Sequence, residues 1–342
     1  MPLNWNGALR LGGPDPAVTR PVHRKLGQMG SPIVLVGTTD GFHVVGIDVP
    51  RMPAGHEMTH VFDTPAGVWA ISDERTLWHD PGFGQGKPIA DLSQERANCV
   101  LVAGDRVLVG GSGASLFELS NGALVRVASF DETPGRSSWY TPWGGPPDVR
   151  SVAVGTGGAL YVNVHVGGIV RSTDHGVSWQ DTMDIDADVH QVIADPVLSG
   201  HAYAATARGL AVTTSGGDQW EFFSRGLHGA YCRAVAVTPQ AILVSASLGS
   251  SGRSAALYRR SRGGGDFERC RGGLPEWFST NLDTFCLAAR EGLVVAGDGN
   301  GTVFGSEDDG TSWSELVRGL PDVRCLTIMG GGRRHDVTVH NM

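Results

Sequence analysis

Apolar positions recur along the chain in runs of five to seven residues, alternating or continuous, each bounded by Gly, Asp, Ser or Pro. No stretch keeps the 3.6-residue apolar period of an amphipathic helix, so the pattern predicts an all-β chain. Residues 159–179, ALYVNVHVGGIVRSTDHGVSW, supply a template: strand, short loop, strand, turn, then Trp179. Similar units begin near Ile33, Gly67, Arg106, His201, Ala241 and Leu293. The seven starts lie 34 to 53 residues apart, close to one four-stranded blade of a β-propeller. Blade 2, at Gly67, carries the weakest pattern, so six blades is the alternative to seven.

A further apolar strand precedes several units: VRSVAV, VHQVIA, CRAVAV, FCLAA and finally VRCLTIM. No hairpin follows the last of these, and no comparable strand precedes the hairpin at residue 33. The expectation is a ring in which residues 323–329 complete the blade begun at 32–48, because closure removes exposed sheet edges. The Pro- and Gly-rich segment 1–30 is expected to be irregular, with 31–342 a single propeller domain.

Composition narrows the picture. Fifty glycines and only 18% charged residues suit short strands and tight turns. A net charge of −8 argues against nucleic acid, and no Lys/Arg block argues for an anionic membrane. The N-terminal sequence MPLNWNGALRLGGPDPAVTRPVHRK lacks the apolar core of a secretion signal, and no apolar run is long enough for a membrane-spanning helix. Cys99, Cys232, Cys270, Cys286 and Cys325 are odd in number and read as reduced thiols packed as small apolar groups. Together these predict a cytoplasmic protein with no nucleotide-cofactor motif.

STDHGVSW (Ser172–Trp179) and SEDDGTSW (Ser306–Trp313) both match S-x-D-x-G-x-[ST]-W, at the turn between third and fourth strands. TTSGGDQW (213–220) puts Ser215 in place of Asp, and RSRGGGDF keeps only Gly264 and Phe267. This resembles the Asp-box, or bacterial neuraminidase repeat, found in sialidases, xyloglucan-degrading hydrolases, the sortilin ectodomain and photosystem assembly factors. The resemblance implies that Asp174, Asp308, Trp179 and Trp313 are structural, and that these turns lie on the face opposite any active site.

On the other face, aligning the inner strands on their apolar cores puts Cys99, Arg150, His190, Arg233, Phe285 and Arg324 at one position near the channel mouth. Two residues earlier lie Asp148, Asp188, Tyr231, Asp283 and Asp322. Unpaired charge there would be costly, so these residues either pair with one another or serve a ligand. His165, His190 and His228 fall on that face of neighbouring blades, a set suited to a transition metal such as copper, zinc or iron. Trp139, Tyr140 and Trp143, and then Trp277, Phe278 and Asn281, sit in long loops beside them, as in a small-molecule pocket.

A sialidase reading fails in detail. The family's Arg-Ile-Pro motif is missing; Arg150, Arg233 and Arg324 could clamp a carboxylate, but Tyr231 lacks an obvious glutamate partner, Glu276 being the nearest by loop. A two-carboxylate glycosidase is permitted by Asp148, Asp188 and Asp283 without being singled out. The leading expectation is an enzyme acting on an anionic small molecule. Its catalytic candidates are Tyr231, Asp283 and Asp188, and its substrate-binding candidates are Arg150, Arg233, Arg324, Trp143, Trp277 and Asn281. The three histidines would hold the metal. The alternative is a non-catalytic scaffold that binds a protein segment at the same mouth.

Overall fold

A computed structural model describes residues 32–51, 53–81 and 85–330. They form seven four-stranded antiparallel sheets, with helix confined to the short turns Ala128–Asp131, Pro134–Ser138 and Ile185–Ala187. Blades 2 to 7 span residues 58–91, 97–126, 149–181, 189–223, 231–269 and 287–317. Blade 1 combines Ile33–Thr38, Gly41–Val44 and Ile47–Arg51 with Val323–Met329 as its inner strand. The Gly67 unit is therefore a full blade, and the count is seven. The segment 1–30 lies outside the described residues.

The ring closes through Ile33–Thr38 against Val323–Met329, in register from Ile33↔Met329 to Val36↔Leu326. Each sheet presents apolar side chains on both faces, and among the described residues these gather into seven clusters, one between each pair of neighbouring blades. Blades 7 and 1, for example, share Val34, Val36, Val295, Val323, Leu326 and Ile328. Blades 1 and 2 share Leu35, Met58, Cys325 and Met329. Stability therefore lies in blade-to-blade burial, at roughly 25 cal/mol per Å² of apolar surface.

The two S-x-D-x-G-x-S-W turns fold alike. Asp174 Oδ1 accepts from the Ser178 N–H (2.9 Å), Asp308 Oδ1 from the Ser312 N–H (2.8 Å). The serine opening each turn accepts from the glycine N–H, Ser172 from Gly176 and Ser306 from Gly310. Trp179 and Trp313 then turn back into the blade interfaces. In blade 5, Ser215 stands in for the aspartate and accepts from Gln219 N–H at 3.0 Å. Asp308→Ala is expected to cost about 1–2 kcal/mol, as measured by urea denaturation, by orphaning these donors. Ligand binding at the opposite face should be unchanged.

All five thiols are free and buried. Burial pushes Cys99, Cys232, Cys270 and Cys286 up to about 12 and Cys325 well above its ordinary value, so none is a nucleophile near neutrality. Among the described residues, no helix is long and apolar enough to cross a membrane.

Candidate functional site at the channel mouth

Each inner strand enters the ring through an irregular step. In blade 4, Val149 pairs with Val164 and Ser151 with Asn163, so Arg150 is extra between them. The same bulge leaves Thr59 in blade 2, Asn98 in blade 3, His190 in blade 5, Arg233 in blade 6 and Arg324 in blade 1. Phe285 of blade 7 takes the position with a φ of 69°. Bulges re-aim one side chain without disturbing the ladder below, and here six of them, with Phe285 at the seventh place, bring Thr59, Asn98, Arg150, Phe285 and Arg324 to one cavity. One expectation is corrected: Asn98, not Cys99, occupies this position in blade 3, while Cys99 pairs with Gly110 in the core. Two residues earlier, the outer ring now reads Glu57, Arg96, Asp148, Asp188, Tyr231, Asp283 and Asp322.

Between these rings lies a cavity of about 540 Å³, walled by residues that include Arg96, Arg150, Arg324, His165, Trp143 and Asp283. Its arginines are paired. Arg96 meets Asp148 at 2.9 Å, and Arg324 meets Glu57 at 2.7 Å. Arg150 stands 3.8 Å from Asp283, which takes a tighter bond from Arg233 at 2.6 Å. Arg150 and Arg233 thus meet at Asp283, while Arg324 is paired with Glu57. Arg233 is committed to Asp283, and Arg96 takes its place in the cavity wall. Sequence reasoning missed Arg96 because counting from Cys99 hides it; placing the bulge at Asn98 finds it.

The connection into blade 7 crosses this mouth. Thr284 Oγ1 donates to the carbonyl of His190 at 3.2 Å and lies 3.4 Å from that of Arg233. The Phe285 ring packs at a tilt against His60 of blade 2, with centroids 3.9 Å apart. Residues 283–285 therefore tie together blades 2, 4, 5 and 6.

Beside the cavity, His165 opens the loop between the second and third strands of blade 4, its ring 5.2 Å from Trp143 and 5.7 Å from His190. Asp188, in a left-handed backbone conformation (φ 48°), ends the short turn Ile185–Ala187 and brings its carboxylate between the two imidazoles. His165 Nε2 lies 3.0 Å from Asp188 Oδ1, and His190 Nε2 lies 3.5 Å from Oδ2. Burial opposes charge on Asp188, yet the two imidazoles outweigh it and hold the carboxyl well below the usual range. Burial lowers His190 despite the same carboxylate. Tyr231 covers His190 at 4.6 Å.

His228 does not join this group. It is exposed over the outer strands, its Nδ1 2.8 Å from Tyr258 Oη and its ring 5.0 Å from Trp277. Trp277 is in turn covered by Arg269 at 3.8 Å. The expected three-histidine set is corrected to His165, Asp188 and His190, whose ligand atoms lie within 4.8 Å of one another. His228 is held instead against Tyr258 of the third strand of blade 6. Asn281 also serves structure, donating to the carbonyls of Gly249 and Ser250.

Comparison with known proteins gives the fold. No family model matches the chain. No curated protein matches it either. Among solved structures, YCF48 bound to a D1 peptide superposes with a TM-score of 0.56 at 18% identity, covering 79% of this chain and 86% of that one. YCF48 from Cyanidioschyzon merolae gives 0.55 at 18% identity, over 79% and 88%. A putative 6-phosphogluconolactonase from Bacteroides uniformis gives 0.61 at 13% identity, over 88% and 100%. The chain is thus similar in architecture both to YCF48 and to a putative 6-phosphogluconolactonase, and its own fold is a seven-bladed β-propeller.

Proposed function

We propose that the channel mouth binds a small anionic molecule and that the chain acts on it as an enzyme. The observation that carries this reading is the cavity of about 540 Å³. It gathers guanidinium groups from blades 1, 3 and 4 around one wall imidazole, His165. Each guanidinium has five N–H donors and spends only part of them on its carboxylate, so donors remain for an anion. The loose Arg150–Asp283 contact is the one an incoming carboxylate or phosphate would exchange most easily. His165 lines the cavity and would move a proton to or from the bound molecule. Asp188 holds that imidazole from behind. The recurring third-to-fourth-strand turns support the further reading that these are Asp-box repeats. Five free buried thiols support a reducing compartment such as the cytoplasm.

Calorimetric titration with phosphate, acetate and citrate tests the site. Arg150→Gln is expected to weaken binding by about tenfold to a hundredfold, the loss of one charge-assisted hydrogen-bonded contact. Arg318→Gln, at an exposed pair with Glu315, should change nothing. Equal affinities for the two variants and the parent would overturn the reading.

A second reading has its own support in the peptide held by the similar YCF48. A chain terminus is also a carboxylate, and Trp143, 66% exposed at the cavity edge, offers an aromatic surface for a peptide side chain. Preference for short peptides over free acids in the same titration would favour it.

A further inference from the structure

We infer that His165, Asp188 and His190 form a binding site for one divalent transition-metal ion, built from two imidazoles and one carboxylate. The argument begins with proton positions. His190 Nδ1 is 2.6 Å from the carbonyl oxygen of Cys232, which only accepts, so the ring proton sits on Nδ1. Nε2 then presents a lone pair. It belongs to a side chain with no exposed surface, has no hydrogen-bond partner, and lies 3.5 Å from Asp188 Oδ2.

The second imidazole faces the same carboxylate. With its ring proton on Nδ1, His165 Nε2 accepts from Arg150 Nη1 at 3.5 Å. It lies 3.0 Å from Asp188 Oδ1, a buried carboxylate oxygen that likewise has no hydrogen-bond partner. In that tautomer two nitrogen lone pairs and a carboxylate converge; with the proton on His165 Nε2 instead, a cation would displace it on binding. Such a cluster is costly unless a cation joins it.

The donor set names the cation. Imidazole nitrogens select zinc, iron, nickel or copper over magnesium and calcium, which prefer all-oxygen cages. Ligands about 2.0–2.2 Å from an ion stand about 3–3.5 Å apart; here each imidazole nitrogen lies 3.0 or 3.5 Å from one Asp188 oxygen, and all the ligand atoms lie within 4.8 Å of one another. The Cys232 carbonyl fixes the His190 ring as an outer hydrogen-bond partner does in established metal sites. Three protein ligands leave positions open. Since His165 also walls the cavity, the ion would polarise an oxygen of the anion bound there. That last clause rests on the mouth-site reading; the ion itself does not. Arg150 opposes a dication, and its pairing with Asp283 only partly offsets this.

The test uses the full chain without affinity-tag histidines, stripped by chelator and titrated with Zn²⁺ by calorimetry and with Co²⁺ by visible absorption. Zn²⁺ is expected to bind at one equivalent. Asp188→Asn retains a residue that tolerates the left-handed backbone, and His165→Gln alters a less buried position; each should weaken Zn²⁺ at least about a hundredfold. Both variants are checked by circular dichroism and thermal midpoint. His228→Ala should bind as the parent does, and Arg150→Gln should bind more tightly. No stoichiometric binding by the folded parent overturns the inference, leaving a proton-sharing His–Asp–His cluster. Unchanged affinity in folded Asp188→Asn or His165→Gln overturns it equally. Because the metal titration contains no anion and the anion titration is run on stripped protein, either reading can fail without the other.

Discussion

Removal of residues 323 onward is expected to abolish cooperative unfolding of the whole ring. That strand supplies Val323, Leu326 and Ile328 to the interface of blades 7 and 1, and Cys325 and Met329 to that of blades 1 and 2. Each large apolar side chain contributes about 1.5–3 kcal/mol when buried. Losing five such groups and a six-pair ladder rivals the roughly 5–15 kcal/mol by which a domain is stable. The loss also bares Ile33–Thr38 as an apolar edge that invites aggregation. Scanning calorimetry should show the single parental transition replaced by a broad, weak one. A synthetic peptide of residues 321–330 should restore part of the heat absorption by pairing with that edge. A truncated chain with the parental midpoint would show that the ladder contributes little.

Acid should destabilise the protein through His60 before most carboxylates titrate. His60 Nδ1 accepts the Val100 N–H at 2.9 Å, and its ring lies against Phe285. Complete burial pushes it down to about 3, from about 6.5 in an unfolded chain. Between those values the unfolded chain binds a proton that the folded one refuses, so stability is full above about pH 6.5 and falls as pH drops towards 3. The slope is about 1.4 kcal/mol per pH unit, or about 5 kcal/mol over the window. His60→Asn keeps an acceptor for Val100 and removes the titration. Urea midpoints from pH 7.5 to 4 should fall less steeply in this variant, although it starts lower for want of the ring. Identical slopes would remove His60 as the cause.

The architecture was readable in the chain because repetition averages over local ambiguity. Seven copies of one hairpin outweigh the faint pattern of blade 2, and VRCLTIM stood visibly without its own hairpin. Position within the mouth was harder to read. A bulge shifts alternation by one residue, which moved Cys99 into the mouth on paper while Asn98 and Arg96 occupy it in the fold. His165 and His190 were legible because strand ends fix them. His228 was not, because its place depends on a loop whose path is set by Tyr258 and Trp277. Asp188 was named as a catalytic candidate and not as a neighbour of both imidazoles; its place beside them follows from a left-handed backbone that no local motif announces.

The crossing of residues 283–285 over the mouth acts as a keystone. Asp283 reaches blades 4 and 6, Thr284 the carbonyls of blades 5 and 6, and Phe285 blade 2, so four blades that are not all neighbours share one short clasp. An anion that draws Arg150 away from Asp283 loosens that clasp as it binds. Occupancy at the mouth would then be felt as changed rigidity around the ring, and amide hydrogen exchange in the inner strands of blades 2 and 5 would register a ligand held by blades 1, 3 and 4.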